Sequence, residues 1–63
     1  MSNSFFTVLI DNHPTRFEKK RVIAIEPYEF GTKIIIEASH EEEEPIIYFT
    51  NEVYDEVYRS YLS

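Results

Sequence analysis

Apolar side chains along the chain gather into four stretches with strand character and one with helical spacing. Phe5 to Ile10 is β-branched or aromatic almost throughout, as in a strand covered on both faces or paired at an interface. Asp11-Asn12-His13-Pro14 then ends it, because Asn and Asp close turns with their own side chains and Pro removes a ladder donor. A second strand is expected from about Phe17 to Tyr28, firmest over Arg21 to Ile25, with Pro27 tolerated at an edge or bulge near its end. Glu29-Phe30-Gly31-Thr32 holds the only glycine, which places the positive φ of a hairpin at Gly31. Lys33 to Ala38 reads as the third strand, with Ile34 and Ile36 on one face and Lys33, Ile35 and Glu37 on a second, partly buried one. A polar, acidic loop from Ser39 to Pro45 leads to a short fourth strand, Ile46 to Phe49.

The period then changes. Val53, Val57 and Tyr61 recur at i, i+4 and i+8, flanked by Tyr54, Tyr58 and Leu62, while Glu52, Asp55, Glu56 and Arg59 fall opposite. Thr50 or Asn51 is placed to cap this helix, and Glu52 in its first turn favours the positive end of the helix dipole. About three turns are too short to stand alone in water, so the helix must pack on the sheet. The expected class is α+β: one domain over residues 1–63, a small antiparallel β-meander of three to four strands closed by one C-terminal amphipathic helix.

The segments "RVIAIEPYEFGTKIIIEA", "IIYFT" and "NEVYDEVYRSYL" give the chain a resemblance to the flagellar-operon FlbD family and similar small phage and bacterial proteins. It lies in Ile25-Glu26 within a strand, the Gly31-Thr32 hairpin and Glu56-Val57 in a closing helix. What the resemblance implies is the ββββα architecture, with no functional residue carried over. The Glu41–Glu44 loop is longer and more acidic than the family pattern, and the helix is unusually rich in tyrosine.

Composition sharpens the functional expectation. A chain of 63 residues buries only about 60% of the surface its unfolded form exposes. It has no cysteine for a disulfide or thiolate zinc site. Self-association is the remaining source of burial, and with five Phe and five Tyr a homodimer is expected. No apolar run approaches the length of a membrane span, and Met1–Ser4 is polar and uncharged where a signal peptide opens with a basic segment. The expected location is the cytoplasm of a bacterial host cell.

The net charge of −6 is unevenly placed. Two acidic and four basic residues leave residues 1–25 at +2, whereas ten acidic and two basic residues leave residues 26–63 at −8. This disfavours nucleic acid and anionic membranes as direct partners and favours basic ones.

No catalytic constellation emerges: there is no nucleophile–base signature, and one glycine cannot form a phosphate-cradling loop. The chain is therefore read as a non-enzyme without cofactor. His13 and His40 fall in expected loops and read as solvated. Glu41–Glu44 lacks the spaced ligands of a calcium loop, so a solvated charged loop is expected there, not a metal site. Arg16, Lys19, Lys20 and Arg21 are too few to hold phosphate on an acidic chain and are expected to neutralise nearby glutamates.

Two functional readings remain. In the first, Glu26, Glu37, Glu41, Glu42, Glu43, Glu44, Glu52, Asp55 and Glu56 imitate the phosphates of DNA and occupy the basic DNA-binding surface of a host protein, such as an HU-type nucleoid protein. Phage DNA-mimic inhibitors have this acidic character. Duplex DNA carries about one charge per 1.7 Å of axis, and carboxylates on a strand or helix face repeat at roughly 5–7 Å. In the second, a regulatory or structural adaptor uses a sheet edge and Tyr54, Tyr58 and Tyr61 for hydrophobic contact with another protein or its own copies.

Overall fold

A computed structural model describes residues 4–40 and 42–63. The fold is a small α+β domain in which an antiparallel meander is closed by a C-terminal helix. Among the described residues five strands form two sheets: β1 (Phe5–Ile10) pairs with β2 (His13–Glu18), and β3 (Val22–Tyr28), β4 (Gly31–Ile36) and β5 (Ile46–Thr50) make the second. The helix α1 spans Tyr54–Leu62.

The extra strand arises at two places where local chemistry beats the hydrophobic pattern. Asp11 and Asn12 both adopt left-handed backbone, with φ of 52° and 66°, as the two-residue turn of a twisted hairpin requires. The chain therefore returns at His13, and Pro14 lies within β2 opposite Leu9. Counting from the turn, that pair falls between the hydrogen-bonded pairs Ile10–His13 and Val8–Thr15, where no proline donor is needed. Further on, Glu18-Lys19-Lys20-Arg21 offers no apolar side chain to an inner face. There the expected strand from Phe17 to Tyr28 breaks into β2, a 3₁₀ turn at Lys19–Arg21, and β3.

In the second sheet Thr32, Ile34 and Ile36 of β4 are buried, as the alternation predicts. A bulge between Val22 and Ala24 allows Val22 and Ile25 both to pack against the core. Gly31 is not the positive-φ residue; Glu29 is, at 52°. Glycine is needed at 31 because a Cβ there would collide with the Thr50 carbonyl oxygen and lie 3.2 Å from Asn51 Cα.

The helix starts two residues later than its apolar spacing suggested. Val53 is its extended N-cap, half exposed, with no side-chain cap. The Thr50 hydroxyl instead donates to the Leu9 carbonyl at 2.5 Å and accepts the Glu52 amide at 3.1 Å, tying β5 to β1. Val57 is the buried anchor of α1, and Tyr61 sets its ring edge-on to Phe6 at 5.5 Å. Phe6, Val8, Phe17, Ile34, Ile36 and Val57 form the core. Among the described residues no helix is long and apolar enough to cross a membrane.

Candidate interaction surface

The three-stranded sheet has one face in the core and one in solvent, and the solvent face is apolar. Since Thr32, Ile34 and Ile36 point inward, the pleat turns Lys33 and Ile35 outward, beside Ala24 and Glu26 on β3 and Ile47 and Phe49 on β5. The bulge adds Ile23 to this face, opposite Ile35 with Ala24. Ile23 is 55% exposed, Tyr28 44%, Ile47 51% and Phe49 51%. Tyr28 and Phe49 meet across the sheet with ring centroids 5.0 Å apart. One ion pair crosses the patch, Lys33 Nζ to Glu26 Oε1 at 3.2 Å, with the ammonium 5.8 Å from the Tyr28 ring centre. At the tip of the β3–β4 turn Phe30 is 97% exposed.

Two clefts flank the sheet. One of about 500 Å³ opens between the β1–β2 turn and the end of β5, lined by Leu9, Asp11, Asn12 and Phe49 among others. Its floor is partly set by Glu52, whose carboxylate accepts the Leu9 amide at 3.1 Å. The other, about 310 Å³, lies among Phe5, Arg16, Phe17, Arg21, Ile46 and Tyr48.

The acidic residues singled out from sequence do not form one surface. Glu37 and Glu42–Glu44 lie on the connection from β4 to β5, at the end of the molecule where the 3₁₀ turn also sits. Glu41 lies outside the described residues. Glu52, Asp55 and Glu56 lie at the opposite end, because the Thr32 hydroxyl donates to the Glu52 carbonyl at 2.8 Å and α1 starts from there. Asp11 and Glu29, in the two hairpin turns, join them at that end. Glu26 stands apart on the sheet face, paired with Lys33.

The tyrosines form a row whose middle member is the most exposed. Tyr54 stacks on Tyr58 at 5.7 Å and Tyr58 on Tyr61 at 6.4 Å, passing from a 42% exposed Tyr58 to a Tyr61 packed on the core. Tyr61 is thus structural, while Tyr58 is available for contact. The basic residues mostly serve the fold. Arg21 donates to the Glu37 carbonyl at 2.7 Å, the Lys19 ammonium donates to the Ser63 backbone oxygen, and Arg16 covers the Phe5 ring at 4.5 Å. Of the cluster Arg16, Lys19, Lys20 and Arg21, Lys20 alone meets a carboxylate among the described residues, Glu18 at 3.7 Å.

Sequence reasoning passed over Ile23, Phe30, Ile47 and Phe49. The signal was present in Ile46-Ile47-Tyr48-Phe49: a strand apolar at every position presents an apolar side chain to both faces, and the helix and hairpin cover just one. No family model, curated protein or solved structure matches this chain.

Proposed function

We propose that the chain is a non-enzymatic protein-binding domain, an adaptor that engages its partner through the outer face of β3, β4 and β5. The observation that carries this reading is the row of half-exposed Ile23, Tyr28, Ile47 and Phe49 on the face of the sheet turned away from the core. Contiguous apolar surface on a small soluble domain marks a contact site more often than scattered apolar residues do. Its aromatic side chains, Tyr28 and Phe49, belong to the residue class enriched at the cores of protein interfaces.

The test compares proteins retained, from a lysate of bacteria that also express the untagged chain, by the native chain, by Ile47→Ala/Phe49→Ala and by Asp55→Asn/Glu56→Gln. For an adaptor, retention survives high salt and is lost only in the first variant. Retention that disappears with salt and with the second variant refutes it.

A DNA-mimic reading is carried by a separate observation, the gathering of Asp11, Glu29, Glu52, Asp55 and Glu56 at one end. Its weakness is that the remaining acidic side chains lie elsewhere and Glu26 is paired with Lys33. Displacement of duplex DNA from an HU-type protein, with affinity falling steeply as salt rises, is the result that would favour it.

A further inference from the structure

We infer that the partner covering the outer face of β3–β4–β5 is a second copy of this chain, packed face to face. The inference rests on that face being the contact surface, and three of its properties select a copy over other partners.

The first is charge. The chain carries −6, yet within the strands the face holds a single acid, Glu26, and a single base, Lys33, 3.2 Å apart. Glu37 follows at the rim, with the Arg21 guanidinium bonded to its carbonyl. A basic partner finds no field here to draw it in, whereas a copy meets a neutral apolar surface while its acidic residues stay at the two ends of the molecule.

The second is symmetry. Glu26 and Lys33 face each other on neighbouring strands. A two-fold axis along the strands between β3 and β4 exchanges those strands, and sets each Glu26 carboxylate against the Lys33 ammonium of the other copy. Burial then joins two ion pairs into one four-membered network and leaves no charge unpaired, which is the condition under which buried charges are tolerated.

The third is area. A Phe or Tyr side chain buries about 150–250 Å² when fully covered. Four half-exposed side chains with Ile35 and the stems of Glu26 and Lys33 therefore provide roughly 500 Å² per copy, about 1,000 Å² for the pair, the lower bound for a specific interface. The dimer is accordingly a weak one, dissociating in roughly the micromolar range.

The experiment is sedimentation equilibrium of the full chain from about 1 to about 500 µM, at about 50 and about 500 mM NaCl. The native chain is expected to show a monomer–dimer equilibrium that tightens with salt, because salt screens the repulsion between two acidic copies and leaves the apolar contact intact. Ile47→Glu should keep its circular dichroism and weaken the dimer by about 30-fold or more, the size of a hot-spot loss. Lys33→Glu should weaken it chiefly at low salt, and Glu26→Lys/Lys33→Glu together should restore it.

A native chain that is monomeric throughout, or Ile47→Glu dimerising like the native chain, overturns the inference. Binding of an apolar dye to the monomer separates the two failures. If the native monomer binds dye and Ile47→Glu does not, the face is adhesive and its partner is another protein. If the dye does not distinguish them, the functional reading falls as well.

Discussion

Replacing Thr50 by Val tests whether one buried hydroxyl joins the two sheets. The side chain is 6% exposed, and its Oγ1 donates to the Leu9 carbonyl at 2.5 Å and accepts the Glu52 amide at 3.1 Å. Valine nearly preserves shape, so little cavity forms, but both hydrogen bonds are lost. Each such bond contributes about 1 kcal/mol net, and a part-buried partner left without one costs about 1–3 kcal/mol. The expected loss is about 2–3 kcal/mol, from a total that for a domain of this size is roughly 3–9 kcal/mol. At about 4–8 °C per kcal/mol for small domains, the melting temperature should fall by roughly 10–20 °C. Thr50→Ser keeps the hydroxyl and loses only a methyl, so it should stay within about 1 kcal/mol of the native chain. Urea unfolding followed by circular dichroism at one fixed protein concentration measures all three, the fixed concentration removing any contribution from self-association. If Val and Ser are equally stable, the hydroxyl is not the tie between the sheets and the reasoning is refuted.

Two further substitutions probe the fold. Gly31→Ala should destabilise by well over the ~1 kcal/mol range of ordinary glycine–alanine exchanges, because the new methyl meets the Thr50 backbone and not a side chain that can swing aside; chemical denaturation giving a neutral or stabilising effect would show that β4 and β5 do not approach as described. Ile34→Ala should cost about 2–5 kcal/mol as a buried deletion, whereas Ile47→Ala on the outer face should cost far less in unfolding measured at low protein concentration. Equal losses at the two sites would mean that both faces of the sheet are already covered within one chain.

Most of the elements were legible in local pattern. The buried face of β4 follows from alternation, and the closing helix from the change of period at Val53, because these features depend on neighbours two to four residues away. β1, apolar on both sides and expected to be covered on both or paired at an interface, buries only Phe6 and Val8 and leaves Phe5 and Leu9 exposed. What local pattern missed is equally specific. Asp11-Asn12 marks only a strand end by residue type, because its residues favour turns of several lengths, and the tightness of the return depends on φ at both positions. Thr50 looked like a helix cap, since a hydroxyl before an acidic residue is the usual sign of one; it bonds instead to Leu9, 41 residues away in sequence. The acidic residues crowd the later two-thirds of the chain, which suggests one array, but β4 and β5 run in opposite directions and send the residues following each to opposite ends.

Strand and helix formation, the α+β class, the net charge and the positions able to bury an apolar side chain were determined by the sequence alone, because each depends on side-chain type and near-neighbour period. Which apolar face would be covered was decided only in three dimensions. A single hairpin and one nine-residue helix can cover one side of a three-stranded sheet, and β5, apolar on both sides, offered two. The packing of Phe6, Phe17 and Val57 against Ile34 and Ile36 took one side and left Ile47 and Phe49 to the solvent.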